Sequence, residues 1–366
     1  MRGIKTIITP SACALGALAL LAGSAWAQSG SQVTLSGIAD AAVRHVKNEG
    51  RGGVSSLVSG GNSTSRIIIR GSEDLGGGLS AGFHLEHGIL LDSGTQASGT
   101  MFWDRRATVS LVSKQFGELR AGRDFVPSYS NWSRYDPFSY VGVAGANIFV
   151  SATPQGPLRA AFGSGANSTV RSSNALQWLL PAGLGGIEGG LMLAAGEGGT
   201  AANGQHKLAG ARVGYANKSF NIAAAYTRSE NNLTGSDALD DWALGGSYNF
   251  GPLRASLAWR QFKLGAAKQT QTLLGAWVPL GPGQLKLSWN RVDLQGRVGN
   301  TAIDRNDADQ LGLGYVYDLS KRSALYATVA RVANKGGASY AVPGGASGMA
   351  GGGDSTGVEL GMRHNF

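Results

Sequence analysis

Two sets of residues in this chain could do chemistry. The first is built on histidine. His84-Leu85-Glu86-His87 brings two imidazoles and a carboxylate close together, a composition that can hold a metal. The spacing works against it. On an extended chain successive side chains alternate, so His87 opposes His84 and Glu86, and the related HExxH arrangement works only on a helix. His45, His206 and His364 have no nucleophile signature beside them, so a Ser-His-acid hydrolase has only residue order in its favour. Gly183-Leu184-Gly185 fails the dinucleotide fingerprint because Glu188 takes the third glycine position, and no glycine is followed by lysine, which removes the phosphate loop. No catalytic residue, metal or cofactor is expected.

The second set is arginine. Arg66, Arg70 and Arg171 lie in stretches where polar and apolar residues alternate; Arg44, Arg106, Arg123 and Arg134 are further candidates. A guanidinium stays charged at any relevant pH and offers a flat fork to carboxylate or phosphate. A ring of such groups over water attracts anions and repels cations. Each charge pair at 4 Å contributes about 1 kcal/mol in bulk water and about 4 kcal/mol where water is partly excluded. That gives several-fold discrimination without trapping the ion.

Such a ring needs extended elements to position it, and the alternation supplies them. In Arg66–Arg70, Ile67 and Ile69 oppose Arg66, Ile68 and Arg70. In 79–86, Leu79, Ala81, Phe83 and Leu85 oppose Ser80, Gly82, His84 and Glu86. In 170–180, Val170, Leu176, Trp178 and Leu180 oppose Arg171, Ser173 and Gln177. At the C-terminus Val358, Leu360, Met362, His364 and Phe366 share one face, and Gly357, Glu359, Gly361, Arg363 and Asn365 the other. A last strand that is apolar outside, polar inside and ends on Phe suits a closed barrel in lipid. An arginine on the lipid face at mid-membrane would cost about 2–4 kcal/mol, so the arginines must face a wet lumen.

The start of the chain sets the compartment. Arg2 and Lys5, a short apolar run and Ala25-Trp26-Ala27 form a secretory signal over 1–27, leaving a single domain over 28–366. No apolar run of helix-spanning length follows it. The one cysteine, Cys13, lies in the signal, so no disulfide is expected in the mature chain. The full chain has 32 Lys+Arg against 23 Asp+Glu, which leaves a net +7 once Arg2 and Lys5 are removed. Export makes nucleic acid a poor partner for that charge and leaves anionic solutes or a membrane surface.

Seven tight breaks, at 74–79, 114–119, 181–186, 215–220, 250–252, 280–283 and 318–322, alternate with eight longer ones, at about 47–63, 91–100, 126–166, 196–205, 229–237, 263–269, 293–306 and 333–354. Fifteen breaks separate sixteen strands, an even number, with short turns on the periplasmic side. The fold class is an all-β, sixteen-stranded antiparallel transmembrane barrel, wide enough for an aqueous channel. Trp103, Trp178, Trp242, Trp277 and Phe366 are candidates for the interfacial aromatic girdles.

Several motifs, in order, resemble the general porins of Gram-negative outer membranes, beta-proteobacterial branch: Val33-Thr-Leu-Ser-Gly-Ile-Ala-Asp40, the stretch from Ser65 to Leu79, Phe116-Gly-Glu-Leu-Arg-Ala-Gly-Arg123, and Gly361-Met-Arg-His-Asn-Phe366. The resemblance implies a homotrimer in the outer membrane, in contact with its lipid and lipopolysaccharide. It implies recognition by the barrel-assembly machinery through a C-terminal strand ending at Phe366. It implies that the third loop, 126–166 with its Tyr135-Asp136-Pro137-Phe138 motif, folds inward as a constriction. Arg66, Arg105 and Arg171 match the family's wall arginines, with Asp136 opposite them. Alternation with Thr108 and Ser110 selects Arg106 rather than Arg105. Arg44, Arg70, Arg106, Arg123 and Arg134 are secondary lumen candidates. Asp136 is the only acid in the loop, against Arg134 and Arg159, so the constriction is expected to be net positive. The function implied is passive diffusion of small hydrophilic solutes and ions, anions preferred. A channel specific for a dicarboxylate or phosphate and a barrel serving as adhesin or scaffold are the other readings.

Overall fold

The computed structural model describes residues 31–151, 156–163, 169–196 and 206–366. The expected signal, 1–27, lies outside these, as does almost all of the expected loop 196–205. Eighteen hydrogen-bonded segments form one antiparallel sheet that closes on itself, because the first pairs with the last, from Ile38 opposite Asn365 to Asn48 opposite Ser355. Two segments are not separate staves. Gly53–Ser59 and Arg66–Gly76 are arms of one wall strand, both paired with the first strand, and Thr95–Gln96 only extends the end of the next one into a loop. The barrel therefore has sixteen strands.

In order these are β1 (Gln32–Asn48), β2 (the two arms), β3 (Leu79–Leu90), β4 (Arg106–Ser113), β5 (Gly117–Phe125), β6 (Arg171–Leu179), β7 (Ile187–Ala194) and β8 (Lys207–Ala216). The other half comprises β9 (Phe220–Glu230), β10 (Leu239–Asn249), β11 (Arg254–Leu264), β12 (Ala267–Leu280), β13 (Gly283–Gln295), β14 (Ala308–Asp318), β15 (Ser323–Asn334) and β16 (Ser355–Asn365). All seven tight breaks fall between strands. Two of the longer breaks differ from expectation. At 263–269 the ladder runs on to Leu264 opposite Ala267, leaving a two-residue turn at Gly265-Ala266. Within 47–63 the chain turns at 49–52 and pairs straight back onto β1; the irregular stretch is 60–65, inside the wall. Asp40 explains it. Its buried carboxylate accepts the N–H groups of Gly61 (3.0 Å), Asn62 (3.2 Å) and Ser63 (2.8 Å) and the Tyr326 hydroxyl (2.5 Å), so a side chain replaces the ladder.

The barrel is apolar outside and polar inside. Val33, Val43, Val109, Leu193, Ile222, Leu257, Leu311 and Leu360 face outward, each more than half exposed. Asp40, Gln269, Gln271, Asn290, Gln310 and Glu359 face inward and are buried. Such a surface is stable only where hydrocarbon covers it. No helix among the described residues is long and apolar enough to cross a membrane.

The interior is partly filled by the loop between β5 and β6. It carries α1 (Pro127–Trp132), a 3₁₀ turn (Ser133–Tyr135), α2 (Ile148–Ser151) and α3 (Pro157–Phe162). Prolines at the first turns of α1 and α3 suit helix starts, where the missing N–H costs nothing. The loop leans on one side of the barrel. Ser128 donates to Asp241 (2.5 Å), Asn131 to the Ala243 carbonyl (3.0 Å) and Tyr135 to Asn221 (2.6 Å). Ser256 donates to the Tyr135 carbonyl and Gln269 to the Phe149 carbonyl, both at 2.7 Å. Wall residues of β9–β12 thus bond both side chains and backbone carbonyls of the loop, and Phe138, Val143, Ile148 and Phe149 pack against Val292, Val332, Tyr340 and Val342. Wall glycines make room: a Cβ at Gly275 would stand 2.7 Å from Pro137 and one at Gly312 2.7 Å from Ala144. A cavity remains between the loop and the wall at β2–β6.

Candidate functional site

A cavity of about 610 Å³ lies between that loop and the wall. Arg66, Arg105 and Arg171 all line it, with Asp104, Ser63 and Thr64 on the wall side and Tyr129, Ser130, Ser133, Ser139, Tyr140 and Asn147 on the loop side. Three separate features aim the arginines. Arg66 opens the second arm of β2, just after the segment that Asp40 fixes. Arg105 precedes β4 in the incoming loop, so strand alternation does not govern it; its backbone N–H pairs with the Glu86 carbonyl. Arg171 opens β6 opposite Phe125, with its guanidinium 4.6 Å from that ring's centre.

The charge balance is unequal. Glu86 is buried behind the arginines. Its Oε1 accepts from Arg105 Nε at 2.5 Å and lies 3.5 Å from Arg66 Nε, while Oε2 faces His84 at 3.4 Å. Asp104 Oδ1 accepts the Gly88 N–H at 2.8 Å. Two carboxylates thus face three guanidinium groups. Among the described residues, the terminal nitrogens of Arg66, Arg105 and Arg171 have no hydrogen-bond partner, and Arg171 Nε is buried without one. They can donate to an anion in the cavity.

Arg106 also points inward, as its alternation with Thr108 and Ser110 requires, but belongs to a second group. It meets Asp124 (3.2 Å) and His84 (3.1 Å). Arg120 bonds Asp124 (2.7 Å) and Glu118 (2.8 Å). This group is balanced. Arg120 is not among the sequence candidates, although Glu118 and Arg120, two apart on a strand, signal a shared face.

Other candidates are placed differently. Asp136 does not line the cavity. It is buried, and its carboxylate accepts the N–H groups of Phe138 (2.9 Å), Tyr140 (2.8 Å) and Ala146 (2.9 Å), so it organises the loop from within. Burial pushes its pKa above the usual carboxylate range. Arg44 is bound to Glu359 (2.8 and 3.0 Å). Arg123 donates to the Asp104 carbonyl (2.7 Å) and to Ser173 (2.9 Å). Arg134 pairs with Glu188, which also holds Arg212 at 2.6 Å. Arg70 is exposed, about 13 Å along β2 from Arg66 toward the short-turn end. Trp178 and Trp242 face outward, but Trp277 faces inward, with the Arg254 guanidinium 3.8 Å from the centre of its ring. No cluster of metal-ligating residues occurs among the described residues.

A closed barrel with an apolar exterior, a polar interior and an inward loop facing a surplus of guanidinium groups is an outer-membrane channel. The comparisons name its family. A profile described as Gram-negative porin matches residues 14–337. Outer membrane porin protein 32 of Delftia acidovorans is 37% identical over 364 residues, covering 96% of this chain and 98% of that protein. The solved anion-selective porin from Comamonas acidovorans is 35% identical, with a TM-score of 0.75 and coverage of 92% of this chain and 100% of that one. OmpT of Vibrio cholerae in its trimer form shares the fold alone, at 14% identity and a TM-score of 0.63, covering 92% of this chain and 100% of that one. The chain belongs to the Gram-negative porins. It is a multi-pass outer-membrane β-barrel and a passive channel, not an enzyme.

Proposed function

We propose that this porin prefers anions and that Arg66, Arg105 and Arg171 set the preference where the inward loop narrows the lumen. The observation that carries this is the surplus of three guanidinium groups over two carboxylates around one cavity. The anion-selective relative from Comamonas acidovorans supports it. Asp136 acts on the loop, and Arg44, Arg106, Arg123 and Arg134 hold the wall and loop through their partners. Arg70 extends the positive lining toward the periplasm.

The channel works as a homotrimer in lipid and lipopolysaccharide, passing small hydrophilic and anionic solutes. Residues 1–27 are a secretory signal removed before assembly. The C-terminal strand, with Phe366 paired to Gly37 (3.0 and 3.1 Å) and its ring half exposed on the lipid face, is the segment the assembly machinery reads. The test is the zero-current potential across a planar bilayer in a potassium chloride gradient. Anion preference is expected for the natural chain, with a shift toward cations for Arg66→Glu. An unchanged potential in the variant removes Arg66 from the role. High salt should weaken the preference, because the Debye length falls to about 3 Å at 1 M.

A further inference from the structure

The cavity has a second chemical character that an inorganic anion would not use. Phe125 and Tyr129 stack with ring centres 5.2 Å apart and planes 25° from parallel, and Tyr140 meets Tyr129 edge-on at 5.1 Å. Arg171 lies over Phe125, so guanidinium and rings form one continuous surface. Phe125, Tyr129 and Tyr140 line the cavity, with Val141, Val150 and Val170 beside them. Phe125 and Tyr129 are only half-buried, so each leaves part of its ring open to the cavity. Selectivity for chloride needs charge and water; aromatic surface lining the passage does nothing for it and disfavours hydration.

We propose that the cavity binds aromatic monocarboxylates of the benzoate type as they pass. This rests on the reading that the cavity is the channel's anion-preferring narrow point, and names the solute class for it. The carboxylate takes the free terminal nitrogens of Arg66, Arg105 and Arg171, a geometry the guanidinium fork suits. The ring lies against Phe125 and Tyr129, at the offset separation aromatic pairs adopt. A cavity of about 610 Å³ holds a single-ring acid together with water, so the solute is retained briefly rather than trapped.

The experiment records chloride current through the natural chain in planar bilayers while benzoate, cyclohexanecarboxylate or acetate is added. All three carry one negative charge, and the first two are close in size. Benzoate should reduce the current at concentrations about three- to ten-fold lower than either of the others, the fold-change expected from one aromatic contact. Tyr129→Leu should bring benzoate level with cyclohexanecarboxylate, and Tyr129→Phe should keep the difference. Folding of each variant is checked by heat-dependent gel mobility. If Tyr129→Leu fails to fold, Phe125→Leu replaces it in the comparison. Equal effects of benzoate and cyclohexanecarboxylate on an anion-preferring natural chain overturn the aromatic site alone. A natural chain that prefers cations overturns the underlying reading as well.

Discussion

Arg105 donates its Nε–H to Glu86 Oε1 at 2.5 Å, and that same oxygen lies 3.5 Å from Arg66 Nε. Glu86 thus sets how much positive charge the cavity shows. Its replacement by glutamine removes one negative charge and keeps the side chain's shape. Glu86→Gln is expected to raise the anion-to-cation permeability ratio by about two- to five-fold or more, since one charge pair is worth roughly 1 kcal/mol even at the bulk-water limit. Zero-current potentials of the variant and natural chain measure it. A ratio unchanged or moved toward cations contradicts the assignment.

The loop's seat depends on another pair. Arg260 is wholly buried and donates to both oxygens of Asp241, at 2.9 and 2.7 Å, while Asp241 also accepts from Ser128 of α1. Removing only the acid strands a charge under the loop. Asp241→Ala is expected to cost about 3–5 kcal/mol, and the double change to Leu at Arg260 and Asp241 much less, because no unpaired charge is left. Thermal unfolding in detergent compares the three. A single change as mild as the double one would show that the pair does not hold the loop.

The sequence makes the barrel legible because lipid imposes a rule on every strand. Outward positions must be apolar and inward ones need not be, so a period of two survives across the whole wall. The exceptions follow the same physics. In 273–277 of β12, Leu273-Leu274 and Ala276-Trp277 are apolar on both faces, because the inward side lies under the loop and not in water; nothing in the pattern shows that Trp277 turns inward. Asp136 reads as a lumen acid until its three backbone donors are seen, and those are set by the loop's local fold. The partners that seat the loop, such as Ser128 with Asp241 and Tyr135 with Asn221, stand far apart in the chain. Several glycines, Gly275 and Gly312 among them, serve neither turns nor curvature but the close approach of the loop, which composition alone does not reveal. Arg105 is ambiguous in the sequence because alternation applies only within a strand, and the strand begins one residue later.

Asp40 offers a test of how the wall supports the site. Its carboxylate ties down Gly61, Asn62 and Ser63, and Arg66 follows three residues on. Asp40→Ala leaves three backbone donors and the Tyr326 hydroxyl without their buried acceptor. A loss on the order of 3 kcal/mol is expected. Because Arg66 loses its support, the zero-current potential should shift toward cations as well. A less stable barrel with natural ion preference would show that the 60–65 segment bears on folding and not on selectivity.

His206 gives the stability its pH dependence on the loop side. It lies just before β8, buried beside Phe162 with ring centres 5.6 Å apart, and among the described residues neither ring nitrogen has a partner. Burial, with a smaller push from Arg123, lowers its pKa to about 4 from the ordinary 6.5. The folded chain therefore favours the neutral ring. Above pH 6.5 both folded and unfolded chains carry it neutral, and the contribution to stability is complete. As pH falls from 6.5 toward 4 the unfolded chain takes a proton that the folded one refuses, and stability drops by an amount on the order of 3 kcal/mol. Below pH 4 the folded chain protonates too and the loss ends. Carboxylates titrate in the same window, so the measurement is a difference. Thermal unfolding of the natural chain and of His206→Phe is followed from pH 7.5 to 4, and the variant, which has no proton to take up there, should lose less stability over that range. Parallel curves for the two would mean that the imidazole titrates alike in both states, and the buried neutral ring would not be the source of the acid sensitivity.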